Sequence, residues 1–335
     1  YKIKKEILKK LENNKIDIIF GTHAIFQKKV IFKKLGLIII DEQHKFGVNQ
    51  RLRLQKKSID SHILVLSATP IPRSLTFVIY GEIDVSIIKN KPKDRKLTKT
   101  TIIGQNKISN IVEGIKRVVK KKEKVFWVLP RIGNEEETES ENETSVIKRF
   151  NYLKKYFHDK VAFVHGKMKK DEVENIFLKF KEEKIMILVT TTIIEVGIDI
   201  PEATTIIIEE ANRFGLAQLH QLRGRVGRNN IDSNCVLVHT KNISENGKAR
   251  LNVMKESNDG FFISEQDLKI RGGGEVFGVK QTGLPTWRFF HPFKDLDLIS
   301  DVKENVEYLK DKDKLIQLLT TLFFNNKKID NYFTG

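Results

Sequence analysis

Two short stretches of this sequence place chemically capable side chains closer together than packing alone would ask for. Gln221-Leu-Arg-Gly-Arg-Val-Gly-Arg228 holds three arginines, Arg223, Arg225 and Arg228, punctuated by glycines at 224 and 227. A guanidinium is planar, permanently charged and bidentate, so such a cluster suits a polyphosphate whose charge shifts during reaction. Glycine lets the backbone come close to that ligand. A basic helix end that touches only DNA phosphate, or nothing, is the competing reading. The second stretch, Leu37-Ile-Ile-Ile-Asp41-Glu42-Gln43-His44, is an apolar run ending on adjacent carboxylates and a histidine. An aspartate at the end of a buried strand can hold Mg²⁺ beside nucleotide phosphates, with waters completing the shell. The neighbouring Glu42 could then take the proton of an attacking water. Strand ends also carry Asp as a helix cap. Ser67-Ala68-Thr69 at the end of the following apolar run, together with the distant arginines, favours the metal reading.

The elements that must position these groups follow from periodicity. Short apolar runs at Ile16–Phe20, Leu37–Ile40 and Ile63–Leu66 predict strands, with helices over Val48–Lys57 and Pro72–Tyr80. The charged, proline-containing Lys89–Lys96 then reads as a linker. Beyond it, strands are expected at Thr101–Ile103, Val125–Leu129, Val161–His165, Ile185–Thr190, Thr204–Ile208 and Cys235–His239, with helices at Lys107–Lys121 and Lys169–Glu182. Such alternation implies βαβ units and parallel sheets covered on both faces, an α/β fold. The acidic tract Asn134–Glu143 is expected to be a solvated loop. Helices over Ser244–Lys255 and Ser264–Ile270 suggest a hairpin leading into a glycine-rich loop at Arg271–Gly278, and a helical tail follows with Leu315, Leu318, Leu319 and Leu322 at helical spacing.

Composition sets the bounds. A chain of 335 residues can bury two cores. Its 60 Lys and Arg against 43 Asp and Glu give a formal charge of +17, which points to a polyanionic partner such as nucleic acid. A coding bias rich in Lys and Ile produces the same excess, so charge alone does not choose. The single cysteine, Cys235, lies in an apolar run, forms no internal disulfide and suits a reducing compartment. No apolar run reaches the roughly 20 residues needed to span a bilayer, and the expected setting is the bacterial cytoplasm, without a membrane partner. The chain opens on Tyr1 inside a helical pattern, and is expected to be a fragment lacking an amino-terminal part.

The motifs carry a family resemblance. Asp41-Glu-Gln-His44, Ser67-Ala-Thr69, Thr190–Pro201 and Gln221–Arg228 resemble motifs II, III, V and VI of superfamily 2 helicases. Gly21-Thr-His-Ala24, Asp41–Val48, Ala68–Arg73 and Phe214–Arg223 narrow the likeness to the branch that holds RecG and Mfd. Gln43, Asn258–Phe261, Asp267–Gly272 and Gly278–Pro285 resemble RecG, including the translocation motif it shares with Mfd. The resemblance covers nearly all of the chain to about Arg288.

That resemblance implies two RecA-like lobes, the first incomplete, followed by a helical hairpin and C-terminal helices. The implied divisions are 1–90 for the end of the first lobe, 91–98 for a linker, 99–241 for the second lobe, 242–291 for the hairpin and translocation motif, and 292–335 for the tail. ATP and Mg²⁺ are the implied cofactors. Asp41 would hold the metal, Glu42 would activate water, and Arg225 and Arg228 would be arginine fingers. His44, Gly197, Asp199 and Gln221 would contact nucleotide; Ser67, Ala68, Thr69, Arg271 and Gln281 would couple hydrolysis to movement; Thr22, His23, Thr191 and Thr192 would touch DNA. The implied activity is an ATP-dependent, monomeric motor on branched double-stranded DNA, such as stalled forks and Holliday junctions, in recombination and repair. Two alternatives stay open: the motor of a transcription-repair coupling factor, and a non-enzymatic DNA-binding module that keeps the motifs as scaffold. The family's Gly-Lys-Thr phosphate loop is not in this chain, nor is its wedge domain, so the chain alone is expected not to hydrolyse ATP. Arg131 and Gly272-Gly-Gly274 also depart from the family pattern, with little consequence.

Overall fold

A computed structural model describes residues 2–27, 29–41, 61–67, 86–88, 96–130, 136–191, 200–227, 230–276, 301, 305, 308–309 and 312–323. These fall into two compact units, the first holding residues 2–67, 273–276 and 301–323 and the second 86–272.

In the first unit, helix α1 (Lys2–Glu12) is followed by a short 3-10 turn at His23–Phe26 and by strands β1 (Leu37–Ile40) and β2 (His62–Val65). The two strands are parallel, with Ile40 opposite Val65. Their faces differ. Ile38 and Ile40 are buried against Leu35, whereas Leu37 and Ile39 are 54% and 57% exposed. The expected strand at Ile16–Phe20 does not form: no ladder engages it among the described residues, and Ile18 and Phe20 lie open. An apolar run becomes a strand only where a neighbour accepts its backbone bonds. Helix α8 (Asp313–Phe323) fulfils the periodicity of the tail. The helices expected over 48–57 and 72–80, and the linker residues 89–95, lie outside the described residues.

The second unit is a six-stranded sheet ordered β3-β8-β7-β4-β6-β5, every pairing parallel. The strands are β3 (Lys99–Gly104), β4 (Lys124–Val128), β5 (Val161–Val164), β6 (Ile187–Thr190), β7 (Ala203–Ile208) and β8 (Asn234–His239). Helices α2 (Ile108–Lys120) and α3 (Glu136–Phe157) cover one face. The other is covered by α4 (Lys170–Lys181), α5 (Leu216–Arg223), α6 (Glu245–Glu256) and the start of α7 (Gly260–Val276). Side chains alternate accordingly: Phe126, Ile206 and Ile208 join the core under α5, while Trp127, Val189 and Ile207 join the core under α2 and α3. Burying each such side chain contributes about 1.5–3 kcal/mol. Because both faces are buried, the strands read as unbroken apolar runs.

Two expectations are corrected here. The acidic tract is not a loop, since α3 begins at Glu136 and runs through it. Glutamates are good helix formers and are favoured at the positive end of the helix dipole. The glycine-rich segment after Ile270 is not a loop at its start either, because α7 continues to Val276 through Gly272-Gly-Gly274. Each glycine costs a helix about 1 kcal/mol relative to alanine, which an already nucleated helix can absorb.

Candidate functional site

Both units present their chemistry at the carboxyl ends of parallel strands. In the first, Asp41 directly follows β1 and is exposed. Leu66 donates its amide to Ile40 O at 2.8 Å, extending the ladder by one residue, so Asp41 and Ser67 leave the same end of neighbouring strands. An exposed carboxylate at that edge fits a hard cation that keeps most of its waters. Thr22 precedes the 3-10 turn at His23 and makes no side-chain cap bond to it. Glu42, His44, Ala68 and Thr69 lie outside the described residues.

In the second unit, β6 ends on Thr190, whose hydroxyl donates to Thr191 O at 3.0 Å. Thr191 is only 5% exposed, a poor position for a side-chain contact with DNA. Thr192, Gly197 and Asp199 lie outside the described residues. α5 carries Gln221 on its partly exposed side and ends on Arg223; Gly224 caps it, and Arg225 follows with its amide bonded to Leu222 O at 3.0 Å. The turn is closed by Gly227. Its φ of +71° is left-handed, and a Cβ there would stand 2.4 Å from Ser233 Oγ and 3.0 Å from Thr98 Oγ1. Those two hydroxyls are bonded to each other at 2.9 Å, so only glycine fits against them. Arg228 lies just beyond the described turn.

The three arginines therefore divide. Arg225 sits partly exposed in the turn, while Arg223 is buried and bonded to the protein itself. Desolvation lowers the pKa of Arg223. Burial pushes the neighbouring Cys235 thiol up to about 12, so it remains a protonated core residue.

The sequence reading missed a second carboxylate at this edge. β7 runs into Glu209 and Glu210, and Glu209 is 9% exposed. Trp127 Nε1 and Arg149 Nε both donate to its Oε1, and Arg149 Nη2 donates to Oε2 at 2.9 Å. The Arg149 guanidinium also lies over the rings of Trp127 and Tyr152, at 5.3 Å and 5.2 Å from their centroids. The signal was available: an apolar run ending on paired carboxylates is the pattern that singled out Asp41.

Known proteins extend this geometry. The pattern described as DEAD/DEAH box helicase matches residues 2–78, and the one described as Helicase conserved C-terminal domain matches 107–230. The ATP-dependent DNA helicase RecG of Thermotoga maritima is 42% identical over 306 residues, covering 91% of this chain and 39% of the relative. That of Streptococcus pneumoniae is 42% identical over 308 residues, covering 91% and 45%. The chain belongs to the RecG family. A solved structure of RecG bound to a three-way DNA junction superposes with a TM-score of 0.65 at 39% identity, over 88% of this chain and 38% of that one. The DUF1998 helicase MrfA, at 16% identity and a TM-score of 0.50, shares the fold alone. Both units are thus RecA-like, in the RecG manner, and the chain spans less than half the length of the RecG relatives it matches. Among the described residues no helix is long and apolar enough to cross a membrane.

Proposed function

We propose that this chain is the motor portion of an ATP-dependent translocase acting on branched DNA, in the bacterial cytoplasm and as a monomer. The observation that carries the reading is the division of labour between strand ends: an exposed Asp41 at the edge of one RecA-like unit, and an arginine turn shaped by Gly227 in the other. The RecG relatives and the junction-bound RecG structure support DNA branches as the substrate class.

Asp41 is the residue that would hold Mg²⁺; the chemistry the ion supplies when bound is neutralisation of phosphate charge. Glu42 accepts a proton from the attacking water. Arg225 and Arg228 meet the charge that develops on the transferred phosphoryl group, with Gln221, His44, Gly197 and Asp199 orienting the nucleotide. Phosphoryl transfer asks for positioning and charge compensation more than covalent chemistry. Ser67, Ala68 and Thr69 relay nucleotide state, Thr22, His23 and Thr192 face the DNA backbone, and Arg271 and Gln281 act as the lever of the translocation motif. Fork repair and Holliday-junction processing are the cellular setting.

The test is ATP hydrolysis by the full-length gene product on a three-way junction, on linear duplex and without DNA. Strong stimulation by the junction is expected. Equal rates on all three would sink the branched-DNA reading, and RNA-polymerase-dependent activity would move the chain to the coupling-factor class. The 335-residue chain alone should bind DNA through Lys and Arg, losing about 10³-fold in affinity between about 50 and about 200 mM salt, with no hydrolysis above background. Robust turnover by the chain alone would show that its own residues supply the phosphate contacts assigned elsewhere.

A further inference from the structure

Of the three arginines that the sequence groups together, Arg223 is the one no phosphate can reach. It ends α5 and is 3% exposed. Its Nη1 donates to Met254 O at 2.7 Å, to Ser257 O at 2.8 Å and to Thr100 Oγ1 at 3.3 Å. Its Nη2 donates to His220 Nδ1 at 3.1 Å. None of these partners is a carboxylate.

The two carbonyls mark a particular place. α6 ends at Glu256, so Met254 and Ser257 belong to the elbow that leads into α7. Carbonyls in a last helical turn lack intrahelical donors and carry the negative end of the dipole, which makes a cation welcome there. The elbow is organised from its far side as well: Asp259 N donates to Ser257 Oγ at 3.0 Å, and Phe261 N donates to Asp259 Oδ1 at 2.9 Å as α7 begins. Leu251, Met254 and Ile263 from the two helices share one buried cluster with Leu222 and Val226, which bracket the arginine turn.

A methionine would fill much the same volume without the cost of desolvating a charge. It would also leave both carbonyls bare and let the turn and the elbow slide over each other as apolar surfaces can. The guanidinium forbids that, because its planar fork fixes direction as well as distance. Arg225 is two residues away along the chain, and α7 leads from the elbow to Arg271.

The geometry points to Arg223 as a positioning residue that ties the arginine turn to the α6–α7 elbow, so that displacement of the turn during nucleotide turnover is delivered to α7. The inference rests on the proposed motor function and adds its mechanical link. Packing alone would hold the two parts together; the two hydrogen bonds to Met254 O and Ser257 O make them move as one.

The experiment is Arg223→Lys in the full-length gene product, with Arg223→Met beside it. Lysine keeps the charge and loses the fork. Junction-stimulated ATPase should stay within about threefold of wild type while DNA unwound per ATP falls about tenfold, as expected when a coupling contact is lost. Equal losses in both activities would place Arg223 with the fingers, and an unchanged ratio in either variant would make it core filler; each result overturns the link. If Arg223→Lys fails to fold, His220→Ala, which removes one acceptor, should lower the same ratio about threefold, and an unchanged ratio overturns the link equally. Should the wild type show no DNA-stimulated hydrolysis, the motor reading fails and amide exchange in the 335-residue chain decides on Arg223 separately. The lysine variant should then speed exchange across 253–263 about tenfold while 187–190 and 205–208 stay protected. Unaltered or uniformly faster exchange would dismiss the tie.

Discussion

Two strands of this molecule are written almost identically and end in opposite circumstances. β1 runs Leu37-Ile-Ile-Ile into Asp41-Glu42, and β7 runs through Thr205-Ile-Ile-Ile into Glu209-Glu210. Asp41 shares a face with Leu37 and Ile39, which is open, and is itself exposed. Glu209 shares a face with Thr205 and Ile207, both at 5% exposure or less, beneath the helix that carries Arg149. Its two oxygens are taken by Trp127 and Arg149. Paired carboxylates after an apolar strand are thus not a chemical signature by themselves. The layer above the strand end decides whether the carboxylate meets solvent or is spent on holding a helix to a sheet.

The largest expected effect tests the open strand end. Glu42→Gln in the full-length gene product should reduce turnover by about 10²-fold or more while leaving nucleotide affinity and melting temperature nearly unchanged; normal hydrolysis would end its assignment as the base. Glu209→Gln should do the reverse. Removing the charge opposite a largely buried Arg149 should destabilise the second unit by about 2–3 kcal/mol in urea unfolding, with ATPase per folded molecule retained. A Glu209→Gln protein of wild-type stability and impaired turnover would mean that the two strand ends are chemically alike after all. The smallest effect separates charge from geometry at Glu209. Arg149→Lys keeps the cation but loses the fork and its stacking on Trp127, for a loss of about 1 kcal/mol, and a result equal to that of Glu209→Gln would show that fork geometry, not charge, carries the interaction.

Much of the fold was legible because parallel strands buried on both faces leave continuous apolar runs. The predicted strands at Leu37–Ile40, Val125–Leu129, Val161–His165 and Thr204–Ile208 lie within one residue of those observed, as do the predicted helices at Lys107–Lys121 and Lys169–Glu182. What failed was whatever depends on distant partners or on context. Ile16–Phe20 has the composition of a strand and no neighbour to pair with among the described residues. The acidic tract and the glycine run look like loops by composition, yet each continues a helix nucleated beside it. The motif residues Asp41, Gln221 and Arg225 were proposed from type and spacing. The separate role of Arg223 was not, since its acceptors Thr100, Met254 and Ser257 lie up to 123 positions away and two of them are backbone carbonyls that leave no trace in sequence.

The strand order carries a consequence for how the second unit is made. Among the described residues β3, the first strand of its sheet, has a single neighbour, and that neighbour is β8, the last. Thr98 and Ser233, bonded where the two strands begin, are 135 residues apart. A ribosome adding about 5–20 residues per second needs on the order of ten seconds to cover that distance. During that interval Lys99-Thr-Thr-Ile-Ile-Gly104 waits as an unpaired edge rich in β-branched residues, the kind of segment that invites pairing with another chain. The helices flanking β4 to β6 can form early from local contacts, but the sheet is completed only once β8 has emerged. Expression yield should therefore be sensitive to truncation between 200 and 240 far more than to changes in the arginine turn, and a newly made chain should gain protease resistance in one late step rather than gradually.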